Sequence, residues 1–172
     1  MCGIVGMVGE REASPILLEG LKRLEYRGYD SAGVASIDKD GDIRCTKVKG
    51  KVEVLKDAIK NNGCSGRIGI AHTRWATHGK PSQINAHPHL INDTLAIVHN
   101  GIIENHSDLR EKLRAEGYLF ASQTDSEVIG CLIDSSLKSG MNLIDAVSES
   151  VKKLEGAYAF CVLSPLLEGS LI

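Results

Sequence analysis

A cysteine at position 2 stands directly behind the initiator methionine. A side chain as small as that of Cys2 permits removal of Met1 during maturation, which would place a thiol and a free α-amine on one residue. The amine titrates at about 7.7–8.0 and a free thiol at about 8.5, so both exchange protons near neutral pH. An N-terminal amine can serve as base to a nucleophile on its own residue, and general-base help of this kind is worth ~10²–10⁴ in rate. The competing reading of Cys2 is a small hydrophobe buried near the chain start, as free cysteines commonly are.

Other residues have types suited to holding a substrate. His72-Thr73-Arg74-Trp75-Ala76-Thr77-His78-Gly79 opens an irregular stretch. Arg74 can grip a carboxylate through two parallel hydrogen bonds, Thr77 and His78 offer polar contacts, and Trp75 is large enough to cover a pocket. The alternative is a surface loop with a solvated arginine. Asn100-Gly101 is the strongest short hairpin signal and reads as a type I′ turn. The same pair can supply a side-chain amide and a backbone N–H to a developing tetrahedral oxygen. Asp125 falls in the first turn of an expected helix, where a negative charge is favourable; the alternative is a carboxylate that recognises a substrate ammonium group. The six histidines, with His87-Pro88-His89 at their centre, raise the question of a metal. No adjacent carboxylate completes a ligand set, so packing and hydrogen bonding are expected and a metal is not. Gly63-x-x-Gly66-x-x-Gly69 lacks the Lys-Ser/Thr of a P-loop and a Rossmann frame, which removes nucleotide binding.

The elements that must position these groups follow from pattern. Ile4–Val8 reads as a buried strand. A helix is expected from Ser14, capped by Ser14, with Ile16, Leu17, Leu21 and Leu24 as one stripe and Gly28 as its stop. Val34–Ile37 and Ile43–Val48 flank Asp38-Lys39-Asp40-Gly41-Asp42 as a hairpin. A short helix is expected over 52–60 and a strand over 68–72. Residues 73–93 lose periodicity, as functional loops often do. Leu95–Val98 and Ile102–Ile103 read as two strands joined at Asn100-Gly101. Ser107 caps a helix to about Glu116, and Thr124-Asp125-Ser126-Glu127 is a capping-box pattern opening a helix to about Gly140. A helix over 143–154 and a strand over 157–163 complete the order. Strands in runs and helices in runs favour an α+β class over alternating βαβ.

Composition bounds the function classes. The 172 residues suit one domain, spanning 1–172. With 20 basic and 22 acidic residues, the net charge of −2 gives no electrostatic case for nucleic acid or an anionic membrane. Five cysteines without a Cys-x-x-Cys pair argue against a disulfide framework or zinc cage and point to a reducing, cytoplasmic setting. No basic residue precedes Ile4–Val8, so a signal peptide is not expected. No run approaches the ~20 apolar residues of a spanning helix.

Taken jointly, the motifs are far more specific than any one of them. In order they are Met1-Cys2-Gly3-Ile4-Val5-Gly6, Leu24 through Gly33, Ala71 through Gly79, Asn85-Ala86-His87-Pro88-His89, Val98 through Asn105, and Thr124-Asp125-Ser126-Glu127. From residue 1 to about residue 164 the chain resembles the N-terminal glutaminase domain of the glutamine–fructose-6-phosphate aminotransferase family. These are class II glutamine amidotransferases of the N-terminal-nucleophile hydrolase superfamily. Glu25-Tyr26-Arg27-Gly28-Tyr29-Asp30 and Thr73 through His78 are similar to this hexosamine-forming branch rather than to the purine, asparagine or glutamate branches.

The resemblance implies a four-layer αββα sandwich of two mainly antiparallel sheets. It implies Cys2 as nucleophile with its own α-amine as base, and Asn100 and Gly101 as the oxyanion hole. Arg74 and Asp125 would hold the α-carboxylate and α-ammonium of glutamine, Thr77 and His78 would add contacts, Trp75 would lie in a closing loop, and Arg27 would position the N-terminus. No cofactor or metal is implied. Ammonia would pass, in full-length members, to a sugar isomerase domain carrying fructose 6-phosphate; association as a homo-oligomer is left open. The family's domain continues past the position matching residue 164, so the last strands are expected to be missing and the sheet edges open. Two other functions stay in view: a glutamine-binding or partner-docking module without turnover, and an amidotransferase with a different acceptor.

Overall fold

Apolar side chains gather in three clusters, and each cluster fills one gap between layers. The structure is a computed structural model that describes residues 2–76 and 79–172, with the side chains of Arg27 and Asn62 outside the description. The elements are β1 (Gly3–Val8), α1 (Ala13–Leu24), a 3-10 turn (Glu25–Arg27), β2 (Ser31–Ile37), β3 (Ile43–Lys49), α2 (Val52–Asn62), β4 (Ile68–Arg74), β5 (His89–Ile91), β6 (Leu95–Ile103), α3 (His106–Ala115), α4 (Glu127–Lys138), α5 (Leu143–Val151) and β7 (Gly156–Leu163). The strands form two sheets, ordered β1-β4-β2-β3 and β5-β6-β7, with every pairing antiparallel.

Alternation along the strands builds the layers. In β2, Ala32 and Val34 face α1 and α2, where they meet Leu17, Leu21 and Leu55. Ala35 faces the other way, with Ile68 and Ile70 of β4, against Ala96, Val98 and Leu163 of the second sheet. Leu95, Ile97 and Ile103 of β6 then face α3, α4 and α5 through Leu109, Leu113, Ile129, Ile133 and Val147. The architecture is therefore helix, sheet, sheet, helix, the expected αββα order. Among the described residues no helix is long and apolar enough to cross a membrane.

Several local expectations are corrected. Ser14 lies inside α1, buried, and its hydroxyl donates to the Cys64 carbonyl instead of capping. The helix start is held by Glu12, which accepts the Gly66 N–H at 2.6 Å, while the Gly66 carbonyl accepts the Ala13 N–H at 2.7 Å. Ser107 is likewise inside α3, behind Asn105 at the cap position. Thr124 closes no capping box. Glu127 accepts the N–H groups of Ala121 and Ser122 at 2.9 and 2.8 Å, so its carboxylate folds the approach to α4, and Asp125 precedes that helix rather than lying in its first turn. The irregular stretch 73–93 is shorter than expected, because β4 runs on through Arg74 and β5 falls inside it.

Candidate active site

Antiparallel pairing of β1 with β4 places Gly3 opposite Thr73, which sets Cys2 beside the residues following Thr73. The Cys2 Sγ accepts the Trp75 N–H at 3.2 Å and lies 3.5 Å from the Trp75 carbonyl. From the other sheet, Asn100 Nδ2 donates to the Cys2 carbonyl at 3.5 Å. The far end of that amide, Oδ1, is 2.9 Å from His72 Nε2, which also lies 3.0 Å from the His99 carbonyl. A carbonyl oxygen only accepts, so Nε2 carries the proton and donates to both. Burial pushes the His72 pKa down to about 4, so the ring is neutral at pH 7.

The other four thiols are kept protonated by their surroundings. Burial pushes Cys45 and Cys131 up to about 12 and Cys161 up to about 11, and it raises Cys64. Cys2 is set apart by its place, partly exposed at the end of a strand with a backbone N–H directed at its sulfur.

Arg74 ends β4 and is only 4% exposed. Its Nη2 donates to the Gly79 carbonyl at 3.1 Å, and its Nη1 lies 3.8 Å from Asp30 Oδ1. Asp30 also accepts the Ala76 N–H and the Ser31 hydroxyl, while its own N–H donates to the Arg74 carbonyl at 2.7 Å. Both flanks of Trp75 are thereby tied to Asp30. The Trp75 side chain, 53% exposed, lies on Gly28: a Cβ at Gly28 would come 2.2 Å from the indole ring, and the φ of +84° there also suits glycine.

Asn100 and Gly101 form no turn, which corrects the hairpin reading. They lie inside β6, opposite Ala159 and Tyr158 of β7. A type I′ turn needs positive φ at both central residues, whereas Gly101 has φ +117° and Asn100 is not among the positive-φ positions. Glycine is required at 101 by the neighbouring strand, since a Cβ would stand 2.2 Å from the Ala157 carbonyl oxygen. Asp125, 4% exposed, accepts the Ile103 N–H of the same strand at 2.9 Å. Thr77 and His78 lie outside the described residues, as does the Arg27 side chain, whose backbone closes the 3-10 turn.

Four buried histidines pack behind Asn100. The His87 ring stacks on His72 with centroids 4.3 Å apart, and His87 Nδ1 accepts the His99 N–H at 3.1 Å. His89 Nε2 meets Thr124 Oγ1 at 3.0 Å, and His99 Nδ1 meets Ser126 Oγ at 2.7 Å. Burial holds His87 and His89 well below the usual imidazole range. Among the described residues no group of three or more His, Cys, Asp or Glu is arranged to hold a metal ion. Sequence reasoning assigned no role to His72 or Asp30. Strand parity was the available signal for His72: it shares a face with Ile68 and Ile70, as Asn100 does with Ala96 and Val98.

The glutamine amidotransferase domain family matches residues 72–168. Among individual proteins, the chain is 60% identical over 163 residues to a glutamine–fructose-6-phosphate aminotransferase [isomerizing] of Idiomarina loihiensis, covering 95% of this chain and 27% of that one. It is 57% identical over 165 residues to the protein of the same name from Pseudomonas aeruginosa, with the same coverage. The chain thus spans about a quarter of the length of these curated relatives. Among solved structures, a glutamine phosphoribosylpyrophosphate amidotransferase from B. subtilis superposes with a TM-score of 0.79 at 29% identity, over 96% of this chain and 35% of that one.

Proposed function

Because the chain belongs to the glutamine amidotransferase domain family, we propose that it hydrolyses the side-chain amide of L-glutamine with Cys2 as nucleophile. The observation that carries this reading is the meeting of Cys2, on one sheet, with the Asn100 amide, from the other. The Cys2 sulfur attacks the amide carbon, forming a C–S bond and moving the carbonyl electron pair onto oxygen. Asn100 Nδ2–H and the Gly101 backbone N–H donate to that oxygen, each such donor contributing ~10²–10³ in kcat. The α-amine freed by loss of Met1, a residue outside the described ones, takes the thiol proton and delivers it to the leaving nitrogen. Ammonia departs as the C–N bond breaks. Water, deprotonated by the same amine, then attacks the glutamyl thioester and releases glutamate.

Arg74 takes the α-carboxylate of glutamine and Asp125 its α-ammonium. A carboxylate offers about four acceptor sites, and Ile103 uses one of those on Asp125. Thr77 and His78 add contacts, Trp75 closes over the substrate, and Arg27 positions the N-terminus. Residues 1–172 belong to one glutaminase domain, whose last strands they lack, and which works without cofactor in the cytoplasm. In a full-length enzyme the ammonia would serve formation of glucosamine 6-phosphate from fructose 6-phosphate on a sugar isomerase domain; the name its relatives carry, glutamine–fructose-6-phosphate aminotransferase [isomerizing], supports fructose 6-phosphate as acceptor. Intact mass before and after an electrophilic glutamine analogue tests the proposal. The expected result is a chain lacking Met1 that gains one adduct, lost in Cys2→Ala. A fully active preparation retaining Met1, or one without an adduct, would overturn it.

A further inference from the structure

We infer that His72 is a positioning residue for the proposed glutaminase reaction: its Nε2–H holds the Asn100 side-chain oxygen and so decides which end of that amide faces Cys2. The inference rests on the reading of Asn100 as oxyanion donor. An asparagine side chain can present either its NH₂ or its carbonyl oxygen to a given point. With the NH₂ turned toward Cys2 it stabilises a developing oxyanion; with the oxygen there it would repel one. Nothing in Asn100 itself chooses between the two.

The choice is made from the opposite sheet, where the Cys2 carbonyl accepts Asn100 Nδ2 only at 3.5 Å while His72 holds the other end of the amide at 2.9 Å. His72 points from β4 into the space between the sheets, and its Nε2 reaches both Asn100 Oδ1 and the His99 carbonyl. The second contact is decisive, because a backbone carbonyl cannot donate. It obliges Nε2 to carry the hydrogen whatever Asn100 does, and Asn100 must then offer its oxygen. The other ring nitrogen reinforces this. His72 Nδ1 is buried and, among the described residues, has no hydrogen-bond partner. A lone pair left there costs less than an orphaned N–H, so the proton stays on Nε2. His87 fixes the plane of the ring by stacking on it, and His87 is itself held by the His99 N–H. One strand residue, His99, therefore anchors both rings through its backbone.

A glutamine at position 72 can place an amide N–H near the point Nε2 occupies, whereas leucine fills the space without a donor. This permits a test on the 172-residue chain using His72→Leu, His72→Gln, Asn100→Ala and the double variant. We expect His72→Leu to lower kcat by about 10²-fold with the glutamine KM changed less than about twofold, since the loss is that of an oxyanion donor. His72→Gln should recover at least about tenfold of it. In the Asn100→Ala background, His72→Leu should cost less than about threefold more, because the two residues act as one unit. Equal losses in both backgrounds, with no rescue by glutamine, would reduce His72 to a packing residue and overturn the inference. Nitrogen-15 NMR of the unmutated chain supplies a readout independent of turnover. A protonated Nε2 and bare Nδ1 at pH 7 are expected, and the reverse tautomer would overturn the inference by itself. Failure of the proposed function looks different: no glutamine turnover and no Cys2 adduct in the unmutated chain, with the Nε2–H tautomer intact. That result would remove the catalytic meaning of the contact along with the function.

Discussion

The Asp125 carboxylate accepts the backbone N–H of Ile103 at 2.9 Å, three residues along the strand from Asn100. Asp125 therefore has a structural task beside its proposed one, and the two can be separated. Asp125→Asn keeps an acceptor for Ile103 and loses only charge, while Asp125→Ala orphans a buried N–H at a cost of about 1–3 kcal/mol. Both should raise the glutamine KM at least ~10-fold, the worth of a charge-assisted hydrogen bond, but only the alanine variant should melt lower. Arg74→Ala should raise KM by a similar factor of about ten, and Arg74→Lys should rescue poorly for want of a planar fork. Steady-state kinetics beside thermal melts decide; an unchanged KM rejects the assignment.

Asn100→Asp retains an oxygen for His72 and turns a second oxygen toward the reacting centre. Its kcat should fall at least ~10²-fold, as should that of Asn100→Ala. Alkylation of Cys2 by a small reagent should persist in both, showing that the proposed nucleophile is still in place. Near-normal turnover in Asn100→Asp would return this residue to a purely structural role.

Gly101→Ala meets both a left-handed φ and the Ala157 carbonyl. It should destabilise by at least about 2 kcal/mol. Gly117, with φ +95° and nothing within 4 Å of the point where a methyl group would stand, is the control. Gly117→Ala should cost only the conformational part, about 1 kcal/mol. Urea midpoints that fall equally in both would mean that the approach of β7 is not what demands glycine.

Acid should unfold the protein through its buried histidines. His72, His87 and His89 all titrate below the ordinary value of 6.5 in the folded chain. Below pH 6.5 the unfolded chain binds protons that the folded one refuses, so stability is fully present above that pH and falls toward about pH 4, where His72 itself charges. Each histidine steepens the loss by about 1.4 kcal/mol per pH unit. Ordinary carboxylates titrate lower, so the window from about pH 6.5 to about pH 5 isolates the effect. Urea midpoints should drop across it with uptake of more than one proton per molecule; a flat midpoint would contradict the burial of these rings.

What was readable in the sequence depended on how local its cause was. The β2–β3 hairpin was legible because Asp38 through Asp42 turn the chain by themselves, with Asp38 accepting the N–H groups of Asp40 and Asp42. The Asn100-Gly101 pair misleads because its local turn preference yields to β7, which pairs with β6 from Ala96 to Ile103. Glu127 misleads for a similar reason: its carboxylate serves Ala121 and Ser122 rather than the helix it opens. Cys2, Arg74, Trp75 and Asn100 stand out through their joint motifs, and the fold brings them together. The His72–Asn100 contact is not legible in advance, because it joins two sheets whose facing no local pattern sets.

Cys2 reaches the site from the four-stranded sheet and Asn100 from the three-stranded one, with Ala35, Ile70, Ala96, Val98 and Leu163 between the sheets. That aliphatic layer is a shim between the two sheets that would carry the sulfur and the amide. Misplacement of reacting groups by about 1 Å can cost 10²-fold in rate. If the proposed function holds, a methyl group added or removed there, as in Val98→Ala or Ala96→Val, would touch no substrate yet retune the chemistry, and this core would be bound to a tolerance set by the reaction as well as by the fold.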